Sequence, residues 1–94
     1  MIYVMVKHKV EDFEKWKSIY DEHGAMRKKL GSKGAFAYRN SNDPNEMIII
    51  SKWDNMESAK NFAESENLKN AMKKSGVISK PEVYYLDEIE RTPY

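Results

Sequence analysis

The chain has 94 residues, sixteen Lys and Arg against fifteen Asp and Glu for a formal charge of +1, and no cysteine. That length suits one domain, and the balanced charge gives no general electrostatic reason to bind nucleic acid. The missing thiols exclude disulfides, thiolate metal sites and cysteine nucleophiles.

Residues 2–10, IYVMVKHKV, read as a strand. Ile2, Val4, Val6, His8 and Val10 share one face, and Tyr3, Met5, Lys7 and Lys9 share the other. Glu11 and Asp12 then open a helix expected to run to about Leu30, their carboxylates at its positive end and Arg27, Lys28 and Lys29 at its negative end. Gly31 suits the left-handed capping position. Phe13, Trp16, Tyr20, His23, Arg27 and Leu30 recur at spacings of three and four, and Ile19 and Met26 widen the stripe. Gly24 lies inside that helix and marks either a bend or a close approach by a strand or a ligand.

Residues 33–39 form the second predicted strand, and the polar run 40–45 reads as a loop. Residues 47–53 form a central strand with Met47, Ile49, Ser51 and Trp53 on one face and Ile48 and Ile50 on the other. Asp54 and Glu57 have the spacing of a capping box. The helical region that follows, residues 55–75, changes its apolar phase between Phe62 and Leu68, so a break is expected near Ser65, with Ser65 capping the second piece. Gly76 stops it. Residues 82–89 form the last strand, with Val83, Tyr85 and Asp87 on one side and Tyr84, Leu86 and Glu88 on the other. Residues 90–94 make a polar tail.

The order strand, helix, strand, strand, helix, strand predicts an α+β, ferredoxin-like βαββαβ domain over residues 1–94. Its four-stranded antiparallel sheet carries both helical regions on one face. The other face then receives Tyr3, Met5, one side of the 47–50 run and aromatics from the edge strands. Apolar surface of that extent calls for a partner, and a homodimer packing sheet against sheet supplies one. The longest apolar run, residues 1–6, is too short to span a bilayer and follows no basic segment, so a cytoplasmic protein without membrane or nucleic-acid partners is expected.

Three stretches carry a family resemblance: IYVMVKHKV followed by DFEKW, IISKWDNMESAKNF, and ENLKNAMKKSGV before the last strand. In these the chain resembles the dimeric α/β-barrel superfamily that includes the antibiotic biosynthesis monooxygenases. The resemblance implies a dimer whose sheets close into a barrel, with a small-molecule cavity between helices and sheet in each subunit. It also implies cofactor-free oxygenation of an electron-rich aromatic compound. The haem-degrading branch fits poorly, because the first strand has no asparagine and the late helix no histidine.

Candidate site residues follow from the two faces. His8 lies on the helix-facing side of the first strand and His23 in the first helical stripe, so both imidazoles can approach one inter-layer space. Histidine suits proton abstraction from a phenol or enol, and Arg27 or a tyrosine can hold the resulting oxyanion. Trp16, Tyr20, Phe36, Trp53 and Phe62 are the aromatic candidates to line the ligand space, with Trp53 at its rim. No metal-ligand spacing and no phosphate-binding glycine pattern is present, and no cofactor is expected. The alternative is a non-catalytic homodimeric binding or structural protein of the same fold, with its cavity collapsed onto Trp16, Tyr20 and Phe62. Open access to a cavity holding a histidine separates the first reading from the second.

Overall fold

A computed structural model describes residues 1–94. Strand β1 (Ile2–Lys9) and the long strand β3 (Asp43–Trp53) are the inner pair of a four-stranded sheet of order β2-β3-β1-β4, with β2 (Ala35–Asn40) and β4 (Glu82–Asp87) at its edges. Every pairing is antiparallel. Helices α1 (Phe13–Glu22), α2 (Gly24–Leu30), α3 (Met56–Ala63) and α4 (Glu66–Lys74) complete the chain. This is the ferredoxin-like βαββαβ architecture, with each helical crossover built from two pieces. No helix is long and apolar enough to cross a membrane.

Side-chain caps start three of the four helices. The Asp12 carboxylate accepts from the Glu14 and Lys15 amides, the Asn55 side chain from Ser58 N, and Ser65 Oγ from Leu68 N at 3.1 Å. Each cap supplies a partner to amide groups that have none within the helix. The break expected near Ser65 is therefore real. The cap of α3 is Asn55 rather than Asp54, so the third helical residue is Ser58 and no capping box forms.

Two further expectations need correction. The first helical region is not continuous to Leu30 but breaks at His23, which ends α1 and precedes α2. The break leaves carbonyls of the last α1 turn without helical partners, and Arg27 Nη1 folds back to donate to Tyr20 O at 3.0 Å. Gly24 is the first residue of α2, where a Cβ would lie 3.5 Å from Arg27 Nη2. The supposed loop at 40–45 is mostly strand: Asn40 ends β2, Asp43 begins β3, and only Ser41 and Asn42 turn. Side-chain oxygens of Asn40 and Asp43 accept from the backbone two residues on and so organise this polar hairpin. Pro44 is tolerated because the register passes from Arg39↔Met47 to Asn40↔Asp43 and leaves it unpaired.

The faces fall as the alternation predicts. Val4, Val6, His8, Met47, Ile49, Ser51 and Trp53 point toward the helices and are buried. Trp53, fully buried, stacks on Phe62 at 4.8 Å and joins Val4, Val6, Ala59 and Leu68 in one core cluster. Val10, Trp16, Met47 and Ile49 form a second. The opposite face carries Phe36 (61 % exposed), Tyr38 (53 %), Tyr84 and Leu86 around half-buried Met5, Ile48 and Ile50.

Candidate functional site

Between the two core clusters lies a cavity of about 50 Å³. Strand β1 contributes Val6 and His8, β3 contributes Ile49 and Ser51, and α1 contributes Trp16, Ile19 and Tyr20. His23 and Arg27 close one side, and Phe62, Leu68, Ala71 and Met72 the other. The wall is mainly hydrocarbon and aromatic ring, with no carboxylate. Trp16 stacks on Tyr20 at 5.0 Å and meets the His8 ring edge-on at 6.2 Å. The Arg27 guanidinium lies over the Tyr20 ring, 3.9 Å from its centre, so cation and aromatic face hold each other in place.

The histidines are the unusual members. Both ring nitrogens of His8 and Nε2 of His23 are buried without a hydrogen-bond partner. Native interiors rarely leave such atoms unpaired, and a neutral imidazole offers one acceptor and one donor to a bound polar group. Loss of solvation lowers the His8 pKa to about 4, which keeps the imidazole neutral at pH 7. His23 is lowered by desolvation first and by the Arg27 charge second. A cavity of this size holds a water or a small polar group, whereas an engineered apolar cavity of roughly 150 Å³ is needed to admit benzene. A ring therefore enters only when side chains move, and Met72, unbranched and adaptable, is the wall member best suited to yield.

The depressed His8 pKa has a consequence for stability. In the unfolded chain His8 takes up a proton near its ordinary value of 6.5, but in the folded chain only near 4. The unfolded state therefore binds more protons between those pH values, and stability falls as pH drops through that window. The loss is at most about 3 kcal/mol. Urea denaturation from pH 7 to pH 4 should display this slope, and His8→Leu should remove most of it. An unchanged slope in the variant would exclude His8 as its source.

The cavity thus gathers His8, His23, Arg27, Trp16, Tyr20 and Phe62, all singled out in the sequence. It does not gather Phe36 or Trp53. Phe36 pairs with Ile50 on the opposite face of the sheet and stacks on Tyr38 at 6.3 Å. Trp53 sits inside the core rather than at a rim, with its Nε1 donating to Ser51 Oγ at 2.9 Å. Wall residues not singled out were Val6, Ile49, Ser51, Ile19, Leu68, Ala71 and Met72. Ser51 had a signal of its own, as the polar residue on the apolar face of β3, and the change of phase at Leu68 marked α4 as a separate wall. A solvent-facing groove between α1, α2 and α4 shares Ile19, His23 and Ala71 with the cavity. No group of three or more His, Cys, Asp or Glu side chains is placed to hold a metal ion.

A family model for antibiotic biosynthesis monooxygenases matches residues 1–74. No functionally curated protein sequence matches. Among solved structures, the chain is similar to SnoaB, a cofactor-independent oxygenase from Streptomyces nogalater, with TM-score 0.80, 12% identity, and 99% of this chain and 97% of that chain covered. It is also similar to a Bordetella bronchiseptica protein proposed to be an antibiotic biosynthesis monooxygenase, with TM-score 0.80, 13% identity and coverage of 95% and 97%. A Caulobacter crescentus protein of the same proposed class gives TM-score 0.77, 18% identity and coverage of 95% and 90%. At these identities the likeness speaks for the fold.

Proposed function

The chain belongs to the antibiotic biosynthesis monooxygenase family, and on that premise we propose that it is a cofactor-independent oxygenase acting on a small aromatic compound. The observation that carries this reading is the pair of unpartnered imidazoles, His8 and His23, facing one largely apolar cavity. A phenolic or enolic substrate donates its O–H to the free imidazole nitrogen. Burial makes His8 a weak base in the empty protein, but transfer of the proton creates an imidazolium beside an oxyanion. Their mutual attraction offsets much of that weakness. The Arg27 charge, in the same wall, stabilises the oxyanion further.

The electron-rich anion then reduces dioxygen itself. For a methylene flanked by aromatic rings, one oxygen atom becomes the new carbonyl oxygen and the other leaves with the two methylene hydrogens as water. The protein's part is to bind, deprotonate and shield. The placement of His8 and His23 in the wall of one cavity favours the enzyme over a protein whose cavity has collapsed.

Oxygen uptake with an anthrone-type phenol tests the proposal. The intact protein should exceed the autoxidation background, and His8→Leu and His23→Gln should each lower the enzymatic rate by about a hundredfold or more. Equal uptake in all three samples would refute the assigned base.

The functional unit is proposed to be a homodimer joined through the open sheet face. The exposed aromatics Phe36, Tyr38 and Tyr84 on that face support it, since monomeric proteins rarely leave a contiguous apolar face of this kind in water.

A further inference from the structure

The cavity has a second neighbour. Across Tyr20 and Arg27, which belong to both, lies an open cleft lined by Gly24, Lys28, Ser32, Lys33, Gly34 and Ala35. Three cationic side chains, Arg27, Lys28 and Lys33, border it, and no carboxylate lines it. Lys33 pairs with Asp54 at 3.5 Å outside the cleft, where both groups are exposed. Neither Arg27 nor Lys28 has a carboxylate within ion-pair distance.

Arg27 is the unusual cation. It is half-buried, and of the guanidinium's five N–H groups one reaches an acceptor, Tyr20 O at 3.0 Å. A guanidinium removed in part from water while most of its donors lack partners has a strong preference for an anion, and its planar fork matches a carboxylate. The stacking on Tyr20 holds the fork between the cavity and the cleft. Gly24 and Gly34 line this approach: a Cβ at Gly24 would stand in ordinary contact with the guanidinium at 3.5 Å, and at Gly34 no atom lies within 4 Å of one. The glycine that the sequence left unexplained thus lies in the wall of a basic cleft beside an apolar cavity.

We propose that the ligand is an aromatic carboxylate, with its ring toward the cavity and its carboxylate held in the cleft by Arg27 and Lys28. This rests on the assignment of the cavity as an aromatic-ligand site and adds a requirement for charge that the assignment lacks. Arg27 then holds the substrate by its permanent charge as well as steadying the oxyanion.

Titration calorimetry with benzoate, benzamide and acetate on the intact protein tests it. Benzoate should bind about tenfold or more tightly than its neutral isostere benzamide, and acetate, which has the charge without the ring, should bind more weakly than benzoate. The preference for benzoate should shrink as salt is raised. It should disappear in Arg27→Gln and fall about threefold in Lys28→Gln, an exposed position whose change leaves the fold intact and so controls for misfolding of the arginine variant. Equal binding of benzoate and benzamide overturns the carboxylate assignment while leaving the aromatic site standing. Acetate binding as tightly as benzoate overturns it too, since the cations would then act without the cavity. Absence of binding by either aromatic compound at millimolar concentration refutes the aromatic site itself, and the inference with it.

Discussion

Replacing Trp53 by alanine should cost the fold about 3–5 kcal/mol. A chain of 94 residues has a total stability of roughly 5–14 kcal/mol at the usual value per residue, so much of it would be lost. The reason is concentrated in one side chain. Trp53 is buried completely at the end of β3, its ring stacks on Phe62 of α3, and the C-capping glycine of α2, Gly31, lies against its edge. It thereby ties the sheet to two separate helices. Its removal also leaves the buried hydroxyl of Ser51 without the indole N–H, a further cost of about 1 kcal/mol. Trp53→Phe keeps the ring contact and loses the hydrogen bond, so it should cost clearly less. Chemical denaturation measures both. A loss below about 1 kcal/mol in the alanine variant would contradict the central packing role assigned to this side chain.

Ile50→Lys should convert the proposed dimer to a monomer at micromolar concentration while leaving each chain folded. Ile50 lies between Met5 of β1 and Phe36 of β2 on the open face of the sheet. In a single chain the new ammonium group simply reaches water. In a two-fold, sheet-to-sheet pair it would be buried, and symmetry would introduce the unpaired charge twice. An increase of about a thousandfold or more in the dissociation constant is expected, because each 1.4 kcal/mol is tenfold. Light scattering reads the mass and circular dichroism the fold. A parent protein that is monomeric at micromolar concentration would rule out the association, and a variant that remains dimeric would place the interface elsewhere.

The sequence was most informative where a local rule and a periodic pattern agreed. Alternation in residues 2–10 and 47–53 separated the helix-facing residues from the open face, because register forces every second side chain of a half-buried strand to one side. Ser65 between two apolar phases announced a capped break. The break at His23 was signalled only by Gly24, read as a bend or a close approach, because the stripe from Phe13 to Leu30 continues across it. His23 keeps near-helical angles, φ −76° and ψ −6°, so neither a proline nor a left-handed residue marks the point, and the interruption is sealed afterwards by Arg27. The loop at 40–45 was drawn too long because its polar residues satisfy turn rules and strand pairing at once, and a pattern cannot tell which use prevails.

The candidate site was half readable for a related reason. His8 and His23 have faces dictated by their own elements, so their approach to one inter-layer space followed from the strand and helix patterns. Phe36 was assigned to that space on aromatic character alone, whereas its register opposite Ile50 puts it on the other face. Trp53 was on the correct face, but only packing decides whether a residue on that face borders a void or fills one.

What the sequence by itself determined is therefore the fold class, the two faces of the sheet and the absence of cysteine chemistry, because these depend on composition and on periods of two and 3.6 residues. Tertiary structure alone decided that both nitrogens of His8 and Nε2 of His23 lie buried without partners, that Arg27 bridges the helix break and borders both cavity and cleft, and that the cavity is small. Those properties arise where residues far apart in the chain meet, and the volume left between them depends on side-chain shapes that no periodicity encodes.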